Sequence, residues 1–253
     1  MATSCARFFR SVAFLALVAV SAMHASSVSA GNWTGFMNVF NNASGSQGSF
    51  VFNSGWGVSD LKTTVSNSSS GTIVGDQLVL EPNYNTYTNS LTGNDADRAF
   101  WTDSTDGGVT PGPLGNKWMD ANTFEETASI AVPSYTLSGN VTSNNLNTSL
   151  YTAKAFIKVL DPSNNYATVL NDSVTLPASG PFIVTSNLAL YQGKLLQVGF
   201  SMNGLNANPV NAASNGSVGL TITGVPEPST YALLAFGGCA ATALRRRIRR
   251  ANA

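Results

Sequence analysis

Tyr151-Thr152-Ala153-Lys154-Ala155-Phe156-Ile157-Lys158-Val159-Leu160 decides the fold class. Ala153, Ala155, Ile157 and Val159 share one face of an extended chain, while Thr152, Lys154 and Lys158 fall on the other together with Phe156. Period-two alternation of this kind is the mark of a strand with one face in a core. The pattern returns at 218–223, where Val218, Leu220 and Ile222 alternate with Gly219, Thr221 and Thr223. Working outward, shorter runs at 49–52, 58–65, 77–81, 99–102, 117–127, 135–143, 167–176, 182–191 and 194–202 read as further strands between Asn/Gly/Pro/Asp turns. No window sustains a 3.6 period, and no fixed repeat supports a solenoid. The polar tracts 66–71 and 203–216 read as loops. About ten short strands in residues 31–224 predict one all-β domain, a two-sheet, jelly-roll-like sandwich.

Beyond the last strand the chain changes character. Pro226-Glu227-Pro228 is followed by an uncharged, largely apolar stretch, 229–244, and then by Arg245, Arg246, Arg247, Arg249 and Arg250. The prolines fix φ, remove two backbone donors and hold their neighbours extended, which leaves a stiff peptide open to a protease. As a helix, the apolar stretch would reach about 24 Å at ~1.5 Å per residue. That is short of the ~30 Å hydrocarbon core, so a transmembrane helix here leans on snorkelling arginines. The arginines form a stop-transfer cluster that stays cytoplasmic.

The order of motif, apolar segment and basic cluster resembles the PEP-CTERM sorting signal of Gram-negative bacteria. The resemblance implies an exported protein, anchored in the inner membrane until an exosortase-type protease processes it near Pro226–Pro228, and then placed at the cell surface or in the extracellular matrix. At the other end, Arg7 and Arg10 precede an apolar run from Val12 to Val20, and Val28-Ser29-Ala30 offers small residues for signal peptidase. A signal peptide at 1–30 is expected, cleaved after Ala30 (alternatively Ala25), with the secretion machinery as partner.

Setting these ends aside removes whole classes of chemistry. Cys5, Cys239 and His24 all lie within them, so residues 31–224 contain neither cysteine nor histidine. Disulfides, thiol nucleophiles, histidine general bases and Cys/His zinc sites are excluded from that segment. Its charge is −6, from six basic and twelve acidic side chains, which argues against nucleic acid as a partner. Roughly 190 residues suffice to bury a core without covalent staples.

What remains is aromatics and carboxylates. Trp56, Trp101, Trp118, Tyr84 and Tyr87 are candidate platforms for stacking sugar rings, and 84–87 reads as an exposed loop; the competing role for each is core packing. Asp95, Asp97, Asp103 and Asp106 lie in a Gly-rich acidic stretch whose hard oxygens suit a structural Ca²⁺, although the spacing matches no EF-hand loop. No other cofactor is expected. Adjacent Glu125 and Glu126 point to opposite faces of a strand, whereas Asp120 and Glu126 share one.

Several blocks are similar to secreted bacterial proteins of unknown function that often carry PEP-CTERM tails: Trp33 to Phe40, Trp56 to Leu61, Gly115 to Asn122, Tyr151 to Asp161 and Leu196 to Phe200. That resemblance implies a β-sandwich and supplies no catalytic residue. The reading is therefore a non-enzymatic envelope or matrix protein that contacts exopolysaccharide through a sandwich face. The alternative is a secreted polysaccharide-active hydrolase that relies on carboxylates alone.

Overall fold

The computed structural model describes residues 33–66 and 73–224. The leader with Ala30, the Pro226–Pro228 motif, the apolar stretch 229–244 and the arginine cluster lie outside the described residues. Among the described residues no helix is long and apolar enough to cross a membrane.

Eleven strands are described: β1 (Thr34–Asn42), β2 (Gln47–Trp56), β3 (Thr63–Ser66), β4 (Gln77–Leu80), β5 (Lys117–Thr127), β6 (Ser134–Asn144), β7 (Tyr151–Asp161), β8 (Ala167–Thr175), β9 (Gly180–Asn187), β10 (Leu195–Leu205) and β11 (Val218–Ile222). They form a six-stranded sheet, β2-β1-β5-β10-β7-β8, and a five-stranded sheet, β3-β4-β11-β6-β9. The antiparallel pairs β7–β8, β6–β9, β5–β10 and β4–β11 nest inside one another. That nesting, with successive pairs alternating between sheets, is jelly-roll winding. β1 and β2 widen one sheet beyond β5, and β3 widens the other beyond β4.

The alternation read in 151–160 places Ala153, Ala155, Ile157 and Val159 of β7 in the core, where they meet Met37, Val39, Leu137, Val198 and Phe200. Each large side chain fully buried there, such as Phe200, contributes about 1.5–3 kcal/mol. Three side-chain hydrogen bonds also stitch the two layers together without cysteine. Thr123 of β5 bonds Thr63 of β3 at 2.9 Å, Ser186 of β9 donates to Asp172 of β8 at 2.7 Å, and Trp33 Nε1 donates to Asp76 at 2.8 Å.

Local chemistry overturns several expectations. Residues 58–62 form a turn, closed by Gly57 N–H donating to the Asp60 carboxylate, and only 63–66 extend as a strand. The run 99–102 is not a strand: 99–101 complete helix α2 (Asp95–Trp101), and Thr102 makes a single antiparallel bridge to Gly115. Asn94 and Asp97 cap that helix reciprocally, each side chain accepting from the other's backbone N–H. Residues 84–87 are not an exposed loop; they open helix α1 (Asn85–Leu91), and both tyrosines are buried. In the tract expected to be a loop, 203–205 extend β10, and a 3₁₀ turn at 209–211 leads into helix α3 (Ala212–Asn215). The strand at 182–191 stops at Asn187, followed by a 3₁₀ turn at 189–191.

Two stability predictions follow from buried polar groups. Asp76 is fully buried and is the acceptor of the Trp33 indole. Asp76→Ala leaves that donor unpaired and is expected to cost about 1–3 kcal/mol, read as a lower urea midpoint, with Asp76→Asn costing less. Burial first, and the neighbouring Tyr84 second, push the Tyr151 phenol well above its ordinary 10.0. The folded state holds this proton more tightly than the unfolded chain, so the contribution is complete below about pH 10 and is lost as pH rises above it. Tyr151→Phe is expected to raise the midpoint of alkaline unfolding, measured by circular dichroism.

Candidate functional site

Opposite residues of an antiparallel pair present their side chains on the same face. On β5 and β10 the core face carries Ala121, Thr123 and Glu125 opposite Met202, Phe200 and Val198. The outer face of the same strands carries Asn122, Phe124 and Glu126 opposite Ser201, Gly199 and Gln197. Although they point away from the core, Asn122, Phe124 and Phe156 are each only 3% exposed. Side chains on this face thus enclose one another in a hollow, which is a groove of about 600 Å³ lined from all six strands of the sheet.

The middle of this face depends on Gly199. A Cβ there would come within 2.2 Å of the Thr123 carbonyl and 2.8 Å of Phe124 Cβ. Without one, Phe124 of β5 and Phe156 of β7 flank the same bare position and supply an aromatic floor. Around it run amides. Asn38 donates to Asp120 at 3.0 Å, Gln197 donates to Glu126 at 2.9 Å, and Lys158 reaches Asn122 at 3.5 Å. The Lys158 ammonium also lies 4.7 Å from the Phe156 ring centre. Burial lowers its pKa, and the charge of Asp120 partly offsets that.

One end of the groove is bordered by the β7–β8 turn. Ser163 N–H and Oγ donate to Asp161, as does Lys194 at 2.5 Å, and these contacts, Lys194 first, hold the Asp161 carboxyl below its usual range. The chain then runs through two consecutive left-handed residues, Asn165 at φ 49° and Tyr166 at φ 55°. Left-handed backbone is uncommon for a non-glycine residue and is found disproportionately at functional sites. It leaves Tyr166 at the groove's rim with 59% of its surface exposed.

The aromatics singled out from sequence lie elsewhere. Tyr87 is buried and donates to the Gly112 carbonyl, and Tyr84 is buried beside the core. Trp56 and Trp101 are half-buried and meet edge to face, with Phe52 and Phe100 completing the cluster that seats α2 on β2. Trp118 is half-buried on the outer face, in register with Phe40 and Leu205. None of these five lines the groove.

The acidic stretch is engaged in local hydrogen bonding. Asp95 pairs with Arg98, Asp97 caps α2, and Asp103 accepts from Leu114 N–H at 2.7 Å. Asp106 accepts from Thr110 N–H and Ser104 Oγ, which bring its carboxyl down to about 2. Among the described residues no three acidic, cysteine or histidine side chains converge in a metal-holding group, so these four aspartates are not brought together.

The carboxylate pairs fare similarly. Glu125 is buried on the core face. Asp120 and Glu126 share the outer face, but six residues of strand separate them by about 20 Å, whereas paired glycosidase carboxylates stand ~5–9.5 Å apart. Glu126 is the one carboxylate among the groove's described lining residues.

The lining residues that sequence reasoning missed include Phe36, Asn53, Asn122, Tyr166 and Gln197. The available signal was Phe156 on an otherwise polar strand face, together with the alternation of Phe36, Asn38 and Phe40 in β1.

No curated protein matches the chain. A solved structure concerned with the promiscuous specificity of carbohydrate-binding modules from the β-sandwich superfamily aligns with 77% of this chain and 75% of its own, at 11% identity and a TM-score of 0.31. A likeness that distant carries no weight for fold or ligand. Residues 224–250 match the PEP-CTERM protein-sorting motif, so the two-sheet sandwich belongs to an exported, membrane-passing protein.

Proposed function

We propose that this chain is a non-enzymatic protein of the cell envelope or extracellular matrix, whose sandwich binds exopolysaccharide in the groove on its six-stranded sheet. The observation that carries the reading is the groove itself, which combines an aromatic floor and rim with a row of amides. A sugar ring presents C–H faces that pack on aromatic surface, and hydroxyls that both donate and accept. Asn and Gln side chains match those hydroxyls, since each amide carries donors and an acceptor. A concave, largely apolar site with a few placed polar groups is the usual form of a ligand site.

Delivery follows from the sorting motif. In this reading the leader is removed after Ala30, residues 229–244 hold the protein in the inner membrane with the arginines cytoplasmic, and an exosortase engages Pro226–Pro228. The sandwich is then placed at the surface or in the matrix of a Gram-negative cell.

Two measurements test these halves separately. The mature protein is expected to be retained on exopolysaccharide from its own cells, as a known glycan binder is. Phe36→Ala and Tyr166→Asn should each weaken retention about ten-fold, equivalent to ~1.4 kcal/mol. Asn tolerates left-handed backbone, so Tyr166→Asn should leave Tm nearly unchanged. Wild-type protein that is not retained would refute glycan binding. Mass spectrometry of the mature C-terminus should find it near Pro226–Pro228, and an intact Arg245–Arg250 cluster would contradict processing.

A further inference from the structure

The groove runs obliquely across the sheet. At one end it is lined by Asn53 and Asn38, which pair with each other across β2 and β1; at the other it is lined by Leu160, Tyr166 and Thr168 on β7, the following turn and β8. β2 and β8 are the two edge strands, so the groove crosses the sheet from edge to edge. Five strand spacings of ~4.8 Å make that crossing about 24 Å. Along the strands, Asn38 is level with Asp120, whereas Leu160 is level with Leu195, one step beyond the Leu196–Thr127 pair. That offset of about eight residues corresponds to ~27 Å, and the diagonal is roughly 35 Å. A site of this length fits an extended chain and far exceeds a single sugar.

Its charge is also specific. The groove's lining has one ammonium and one carboxylate, and both are engaged within the protein: Lys158 with Asn122 and the Phe156 ring, Glu126 with Gln197. The rest of the polar lining is uncharged, and residues 31–224 carry a charge of −6. An anionic polymer would find one ammonium offset by one carboxylate in the groove and a repulsive field outside it.

We propose that the groove takes the interior of an uncharged polysaccharide chain, laid diagonally from Asn38 and Asn53 to Tyr166. This rests on the reading of the groove as a glycan site and adds two properties to it, recognition by length and indifference to chain ends.

Isothermal titration of the mature protein with neutral gluco-, manno- and galacto-oligosaccharides, graded from disaccharide to octasaccharide, tests it. In the recognised series, affinity should rise at least ten-fold from disaccharide to hexasaccharide and level off once the groove is filled. Reducing the terminal sugar should leave the affinity of the long members unchanged, as should raising the salt concentration. Alginate, a uronate polymer, should bind more weakly. Asn53→Ala and Tyr166→Asn, at opposite ends, should each weaken the long members while sparing the short ones. Affinity independent of length, loss of binding on end reduction, or a salt-sensitive preference for alginate would overturn the inference while leaving glycan binding intact. Failure of every glycan, alginate included, would overturn the glycan reading and this inference with it.

Discussion

The register between β5 and β10 fixes both faces of the wider sheet at once. Pairing Thr123 with Phe200 and Phe124 with Gly199 sends one set of side chains into the core and the other into the groove. A slip of one residue would mix the sets, setting Asn122 opposite Phe200 or Met202 on one face. Core burial therefore holds the groove in place: the apolar gain from Phe200, Val198 and Ala121 cannot be kept in any register that scrambles the outer row. The neighbours β1 and β7 inherit the same parity through their own pairing, which carries Phe36 and Asn38 to one side of the β5–β10 pair and Phe156 and Lys158 to the other.

This coupling explains which parts of the protein were legible in the sequence. Strands with one dry face announced themselves, and β7 and β11 show the alternation that the core demands. The groove was harder to read, because a second enclosed face blurs the alternation. β10 is buried along most of its length on both sides, and β1 sets Phe36 and Phe40 against Met37 and Val39. Phe156 among lysines was the visible trace, an apolar residue where a solvated face would have none. Tyr166 left less, since its exposure depends on a left-handed turn that composition does not encode.

The misreadings share one physical cause, which is competition between side chains and backbone at chain reversals. Asp97 looks like a hard-oxygen ligand, and Asp60 interrupts what looks like a strand. In the fold, each of these side chains bonds a backbone N–H within three residues and ends or begins an element. Short polar residues in a chain rich in Asn, Asp and Ser are consumed this way first. Those on the sheet's outer face, held extended by the ladder, bond side chains of neighbouring strands instead and line the groove. The amides of the groove and the aspartates of the 94–106 segment are similar in sequence and differ in the backbone beneath them.

The topology also separates the start of the sorting motif from the groove. β11 lies between β4 and β6 in the five-stranded sheet, and Gly224 at the end of the described sandwich packs against Val74 on that side. The groove occupies the outer face of the other sheet. The sorting motif thus begins on the layer opposite the groove, and the whole thickness of the core stands between them. A groove built on the β11 side would instead open beside Gly224, where the sorting motif begins. Jelly-roll winding, which brings the last strand into the sheet opposite β5 and β10, avoids that placement by construction.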